Sequence, residues 1–126
     1  MPEIHEYMIT VVDDKASYRR FAQSVLRKAG ATVTAVNHSQ FRRCNALAQH
    51  NHLIVLGFEE IGERESHIIE MTAHLNVPTL VLVPNMETRT VSQVFSMGAY
   101  DAESKPFDEP SLVQIISETI HSLAVA

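Results

Sequence analysis

Short apolar runs alternate with longer amphipathic stretches along the whole chain. Three of these runs, at residues 7–12, 52–56 and 79–83, are almost wholly apolar and rich in β-branched side chains. A run of this length and composition is typical of a strand that is covered on both faces of its sheet. Weaker runs at residues 32–36 and 100–104 bring the number of predicted strands to five.

The stretches between these strands carry apolar residues at the spacing of one helical face. Five helices are therefore predicted, at residues 16–29, 39–49, 63–75 and 87–97 and after the capping residue Asp108. Strands that alternate with helices pair in parallel through right-handed crossovers, with helices on both sheet faces. We expect an α/β protein: a flavodoxin-like (βα)5 three-layer sandwich whose five-stranded parallel sheet has the order 2-1-3-4-5.

The helical patterns also predict which side chains are buried. The inward-facing residues are Phe41, Cys44, Leu47 and Ala48 in the second helix, and Val91, Val94 and Phe95 in the fourth. Cys44 is the only cysteine, so it cannot form an internal disulfide, and a buried, inert thiol is predicted. The seven histidines contain no pair at the spacing of a known metal motif, so we expect them at the surface.

Length and composition fit one globular domain. The chain has 126 residues and is 45% hydrophobic, which predicts a single domain over residues 1–126, consistent with the N-terminal module of a longer protein. No apolar run approaches the roughly 18 residues that span a bilayer. The N-terminus has neither the basic start nor the apolar core of a signal peptide. A cytoplasmic protein without membrane contact is expected.

Charge is unevenly distributed along the chain. The formal net charge of −5 argues against direct nucleic-acid binding, which requires a basic surface. Residues 1–50 hold seven Lys or Arg and four Asp or Glu, whereas residues 51–126 hold three and eleven. The basic half is suited to an acidic protein partner, although charged helix faces are more often simply solvated.

Polar residues and a glycine stand where two of the strands end. Asp13 and Asp14 follow the first strand, and Gly57 follows the third. In the predicted strand order these strands are neighbours, and the functional crevice of such sheets lies at their carboxyl ends. We therefore expect Asp13, Asp14 and Gly57 to meet there.

Three segments together point to a known family. They are VVDDK at the first strand, HLIVLGF at the third, and GAYDAESKPFD near the end of the sequence. They resemble the receiver domains of response regulators in two-component signalling, and Lys105, Pro106 and Phe107 match the family's most specific motif. The resemblance implies that Asp13 and Asp14 fall on metal-binding positions and that Lys105 falls on the lysine that contacts phosphoryl oxygens.

Other positions depart from the family pattern. Gly57 occupies the phospho-acceptor position, and glycine has no side chain on which an acyl phosphate could form. Val83 falls on the hydroxyl position that follows the phosphate, and valine has no hydrogen-bond donor in its side chain. Ala102 falls on the aromatic switch position and is too small for that role, although Tyr100 is two residues away. The chain is thus predicted to be a pseudo-receiver that is not phosphorylated at the usual position.

The remaining pocket residues imply little metal binding. Glu59 lies two residues beyond Gly57 and could reach back as an oxygen ligand or, less favourably, act as a nucleophile, but a solvated loop residue is the favoured interpretation. Asp13 and Asp14 alone would bind Mg²⁺ weakly, so no cofactor is predicted. Lys105 is expected to pair with these two carboxylates in a structural role.

The predicted function is that of a binding module rather than an enzyme. By resemblance, the family's usual dimerisation surface is formed by the fourth helix, the fifth strand and the fifth helix. This surface holds the charged residues Arg89, Asp101, Glu103 and Glu118, which suits a symmetric contact. We expect a homodimer, with a protein partner or a fused effector domain as the output.

Two alternatives stay open at this point. One is a small-molecule or anion sensor that uses a crevice enlarged by Gly57 beside Lys105, although the chain has no glycine-rich phosphate loop. The other is a receiver that is phosphorylated at a different residue.

Overall fold

The computed structural model describes residues 4–125 and contains the predicted alternation of strands and helices. The strands are β1 (Met8–Asp13), β2 (Thr32–Val36), β3 (Leu53–Gly57), β4 (Thr79–Val83) and β5 (Asp101–Ser104). The helices are α1 (Ala16–Lys28), α2 (His38–Cys44), α3 (Glu63–His74), α4 (Thr88–Ser96) and α5 (Glu109–Val125), and a 3-10 helix (Asn45–His50) follows α2.

All five strands pair in parallel in a single sheet of order β2-β1-β3-β4-β5. The α/β class and the strand order predicted from the sequence are both confirmed. The register places Asp13 of β1 opposite Gly57 of β3, and Val83 of β4 opposite Ser104 of β5. The carboxyl ends of β1, β3 and β4 therefore form one edge of the sheet.

Two apolar clusters hold the helices on the two faces of the sheet. In β3, Leu53 and Val55 point into the cluster that contains residues of α1 and α5. Ile54 and Leu56 of the same strand point into the opposite cluster, which contains residues of α2, α3 and α4. Because successive side chains of a strand alternate between faces, an apolar run without polar interruptions buries both faces at once.

The segment after α2 differs from the prediction of one long helix. Asn37 begins α2 with a capping box in which its side chain accepts from the Gln40 main-chain N–H. The α-helix ends at Cys44 and continues as a 3-10 helix, which has about 3.0 rather than 3.6 residues per turn. This change of period turns Leu47 outward, where it is 79% exposed, and Cys44 is exposed too. The predictions of a buried Leu47 and a buried Cys44 thiol were wrong.

Helix α4 also buries less than its pattern predicts. Val94 is fully buried, but Phe95 is 43% exposed. This helix packs against β5, the strand at the edge of the sheet. An edge offers too little neighbouring structure to cover a wide helix face, so the prediction that Phe95 faces inward was wrong.

The longest helix, α5, begins at the predicted cap. Asp108 accepts hydrogen bonds from the main-chain N–H and the hydroxyl of Ser111, at 2.9 and 2.8 Å. These bonds favour the charged carboxylate and lower the pKa of Asp108. Within residues 4–125, no helix is both long and apolar enough to cross a membrane.

Leu56 is buried and Leu47 is exposed, so the same substitution should have very unequal effects on stability. Leu56→Ala should lower the free energy of unfolding by about 2–5 kcal/mol, because it leaves a cavity between the sheet and α3. Leu47→Ala, the matched control, should change it by no more than about 0.5 kcal/mol. Urea unfolding of both variants measures this, and equal losses would contradict the exposed position of Leu47.

Candidate functional site

The carboxyl ends of β1 and β3 bring the predicted site residues together. Asp13 is the last residue of β1, and its main chain pairs with Gly57, the last residue of β3. Asp14 follows directly and is exposed. Lys105 follows β5, where its main-chain N–H donates to the Val83 carbonyl at 2.7 Å. The expected meeting of Asp13 with Gly57 is confirmed, Asp14 lies beside them, and Lys105 reaches Asp13 at the same edge.

A buried ion pair lies at the centre of this site. The Lys105 ammonium is 2.9 Å from Oδ2 of Asp13, and both side chains are at most 2% exposed. The other oxygen of Asp13, Oδ1, accepts a hydrogen bond of 2.8 Å from the Lys15 main-chain N–H. Lys105 therefore pairs with Asp13, as predicted, but not with Asp14.

The Asp13 carboxyl group fills the space beside Gly57. A Cβ atom added to Gly57 would lie 2.8 Å from Cγ of Asp13 and closer still to Oδ2. Such distances are shorter than van der Waals contact. The predicted crevice enlarged by Gly57 beside Lys105 is therefore not present, because the space that the glycine opens is taken by its neighbour on β1.

Tyr18 of α1 closes the site from one side. Its ring centroid is 4.6 Å from the Lys105 ammonium, and its hydroxyl donates to the Pro106 carbonyl at 2.9 Å. Burial, and secondarily the negative charge of Asp13, raise the pKa of Tyr18. The phenol is thus neutral and serves as a donor. Nothing in the spacing of apolar residues along the first helix indicates this contact of Tyr18 with Lys105.

His38, the first residue of α2, is the site residue that sequence reasoning missed. It is only 5% exposed, so the expectation of a surface histidine was wrong. Its ring Nε2 donates to the Gly57 carbonyl at 2.9 Å, and its ring stacks at an angle on Phe58 at 4.9 Å. A signal existed: α2 starts directly after β2, so its first residue must lie at the same edge of the sheet as Asp13.

Asp14 is bound to His38 rather than to Lys105. Its Oδ1 accepts from the His38 main-chain N–H at 2.8 Å, and its Oδ2 is 3.3 Å from the ring Nδ1. Nε2 of the same ring faces a carbonyl oxygen, which can only accept. The ring thus has an oxygen acceptor on each side.

Glu59 lies above the ion pair in the loop after β3. Its side chain is 54% exposed, and its two oxygens are 3.5 Å from the Lys15 ammonium and 3.9 Å from that of Lys105. Its side chain thus reaches back towards the pocket, as one interpretation of the sequence proposed. The groups that it faces there are the ammonium groups of two lysines.

The donor set at this edge does not fit a resident Mg²⁺. That ion takes a nearly octahedral shell of oxygens. Both oxygens of Asp13 face nitrogen groups, Asp14 is held by His38, and Gly57 supplies no carboxylate. In the part of the chain that the structure describes, no three His, Cys, Asp or Glu side chains are arranged to hold a metal ion.

The predicted switch positions lie on β4 and around β5. Val83 is buried in the cluster under α3 and α4, and Ala102 packs against the same cluster. Tyr100 precedes β5, and its hydroxyl is 2.6 Å from Oγ of Ser122 on α5.

The predicted interaction surface, formed by α4, β5 and α5, is mostly acidic. Arg89 is exposed on α4, Asp101 and Glu103 lie on β5, and Glu118 is on α5. Partial burial, and then the nearby charges of Asp101 and Glu118, raise the pKa of Glu103. Glu103 is therefore close enough to be repelled by each of the other two acids.

Removal of Lys105 should strongly destabilise the fold. Lys105→Met leaves the Asp13 carboxylate buried without its cation, which costs about 3–5 kcal/mol of unfolding free energy. Lys28→Met, the matched control, removes an exposed lysine 3.3 Å from Glu109 and should cost at most about 1 kcal/mol. Urea unfolding measures both.

A double-mutant cycle isolates the ion pair itself. Asp13→Asn combined with Lys105→Met should lose clearly less stability than the sum of the two single changes. Additive losses would show that the two side chains do not stabilise each other.

Comparison with known proteins identifies the fold of the chain. No protein-family model and no curated protein matches the sequence. A response regulator from Thermotoga maritima is 19% identical, with a TM-score of 0.79 over 92% of this chain and 98% of its own. A chemotaxis response regulator from Vibrio cholerae is 17% identical, with a TM-score of 0.77 over 90% of this chain and 98% of its own. NtrX from Brucella abortus is 17% identical, with a TM-score of 0.79 over 95% of this chain but 27% of its own. The chain has the fold of response-regulator receiver domains.

Proposed function

We propose that the chain is a receiver-type signalling domain that is not phosphorylated at the usual acceptor position and acts by binding proteins rather than by catalysis. One observation carries this proposal. At Gly57, where a receiver would present its acceptor carboxylate, the space is filled by the Asp13 carboxyl group in a buried ion pair with Lys105.

Phosphoryl transfer needs a free nucleophile aligned with the phosphorus atom. Gly57 has none, and Asp13 is buried with one oxygen 2.9 Å from Lys105 and the other bonded to the Lys15 main chain. Glu59 and Asp14 are both more than half exposed, but Glu59 lies in a loop between two lysines and Asp14 is bound to His38. These contacts support a domain that is inert towards phosphodonors.

The switch positions support a domain with one resting conformation. In the resemblance drawn from the sequence, a hydroxyl and an aromatic residue move in response to phosphate. Val83 and Ala102 at those positions are apolar and pack in the core. Neither side chain can donate a hydrogen bond, so a signal would have to enter through another part of the surface.

We propose that the domain passes on its signal through a protein contact. The contact is made either with another domain of the same chain or with a second chain. NtrX contains this fold in about a quarter of its own length, which supports a role as a module beside an effector domain. The α4–β5–α5 surface is the proposed contact, and a homodimer is the arrangement we favour there. The repulsion between Asp101, Glu103 and Glu118 limits the strength of that dimer at neutral pH.

The first experiment tests phosphorylation directly. The protein is incubated with acetyl phosphate and Mg²⁺, and its intact mass is measured beside that of a response regulator with an acceptor aspartate. The expected result is no phosphoryl adduct on this chain and a clear adduct on the control. An adduct on this chain would overturn the proposal, and its loss in Glu59→Gln or Asp13→Asn would identify the acceptor.

Self-association tests the proposed surface. Glu103→Gln should shift the monomer–dimer equilibrium towards dimer at pH 7, because it removes one of three repelling charges. The pKa of Glu103 is raised, so wild type should approach the variant as pH falls and this carboxyl group gains its proton. Sedimentation velocity over a concentration series measures both effects.

Glu70→Gln, an exposed change on α3, is the matched control and should leave the equilibrium unchanged. If wild type and Glu103→Gln are both monomeric at all concentrations, the homodimer is wrong and the partner must be a different protein.

A further inference from the structure

The acidic edge of the sheet is already neutralised from within the protein. Oδ2 of Asp13 and Nζ of Lys105 are fully enclosed, and within the described residues neither atom has a regular hydrogen-bond partner. They are 2.9 Å apart, so each is balanced by the charge of the other. The ammonium group thus occupies the place beside Asp13 that a bound cation would need.

The second carboxylate, Asp14, is also occupied, by nitrogen groups of His38. Both oxygens of Asp14 face nitrogen groups of His38, one in the main chain and one in the ring. The second ring nitrogen of His38 holds the Gly57 carbonyl oxygen, which is a further potential metal ligand. One buried side chain therefore engages two of the oxygens at this edge.

We propose that Lys105 and His38 are built-in substitutes for a divalent cation, so that this domain keeps its signalling edge assembled without metal. The inference deepens the proposed function and rests on its placement of the site at the ends of β1 and β3. It predicts that removal of either residue creates a divalent-cation site at Asp13 and Asp14.

Electrostatics explains why metal and lysine exclude each other. A divalent ion on Asp13 would lie within a few ångströms of the Lys105 ammonium, in a place where water cannot screen the repulsion. Without Lys105, the same carboxylate is a buried charge without a partner, and such a charge is strongly destabilising. A cation that binds there restores the balance and so stabilises the fold.

Mn²⁺ alone is the probe, in calorimetric titrations of wild type, Lys105→Met and Lys28→Met. Wild type and the exposed Lys28→Met control should show no saturable binding. Lys105→Met should show saturable binding at least about tenfold tighter than the weakest binding that the titration detects, and Asp13→Asn in that background should abolish it. The melting temperature should rise with Mn²⁺ in Lys105→Met but not in wild type.

Two further measurements keep the test decisive if Lys105→Met folds poorly. The variant is refolded with and without Mn²⁺, and recovery of structure only with the ion supports the proposal. His38→Gln keeps the Asp13–Lys105 pair and should bind Mn²⁺ more tightly than wild type through the released Asp14.

Two results would overturn the inference. One is saturable Mn²⁺ binding by wild type that Asp13→Asn removes, and the other is a folded Lys105→Met that binds no better than wild type. Neither depends on phosphorylation. An adduct with acetyl phosphate would refute the proposed function, whereas these titrations refute only the internal substitution for metal.

Discussion

The parallel sheet, buried on both faces, is the constraint on which everything else depends. Parallel strands joined by crossovers all end at the same edge, so every residue that follows a strand is brought to one place. Asp13, Gly57 and Lys105 are far apart in sequence but follow or end β1, β3 and β5. The three residues meet because parallel strands bring their carboxyl ends to the same edge of the sheet.

At that edge, the absence of a side chain at Gly57 allows the Asp13 carboxylate to lie beside β3. Gly57 leaves a space beside β3, and the carboxyl group of Asp13 occupies it and meets Lys105. A side chain at position 57 and the observed position of Asp13 exclude each other. The absence of a Cβ atom, the buried carboxylate and the buried lysine are thus parts of one arrangement, and Tyr18 completes it by covering the ammonium.

Prediction from sequence succeeded where burial imposes a simple period. The strand at residues 79–83 and the five-strand order follow from apolar runs and alternating elements, and both agree with the structure. It failed where the helical period changes and where a helix lies at the edge of the sheet. Leu47 is exposed because the helix tightens to a 3-10 turn, and Phe95 is exposed because α4 lies at the edge of the sheet. Neither effect is encoded in the spacing of apolar residues.

The sequence by itself determined the fold class, the meeting of Asp13 with Gly57, and the absence of a side chain at position 57. Each of these depends on residue type and on order along the chain. Only the tertiary structure decided that Asp13 fills the space at Gly57, and that Asp14 turns away from Lys105 towards His38. The physical reason is that a carboxylate takes the donor that packing brings within about 3 Å, and such distances arise only when all the strands and helices are in place.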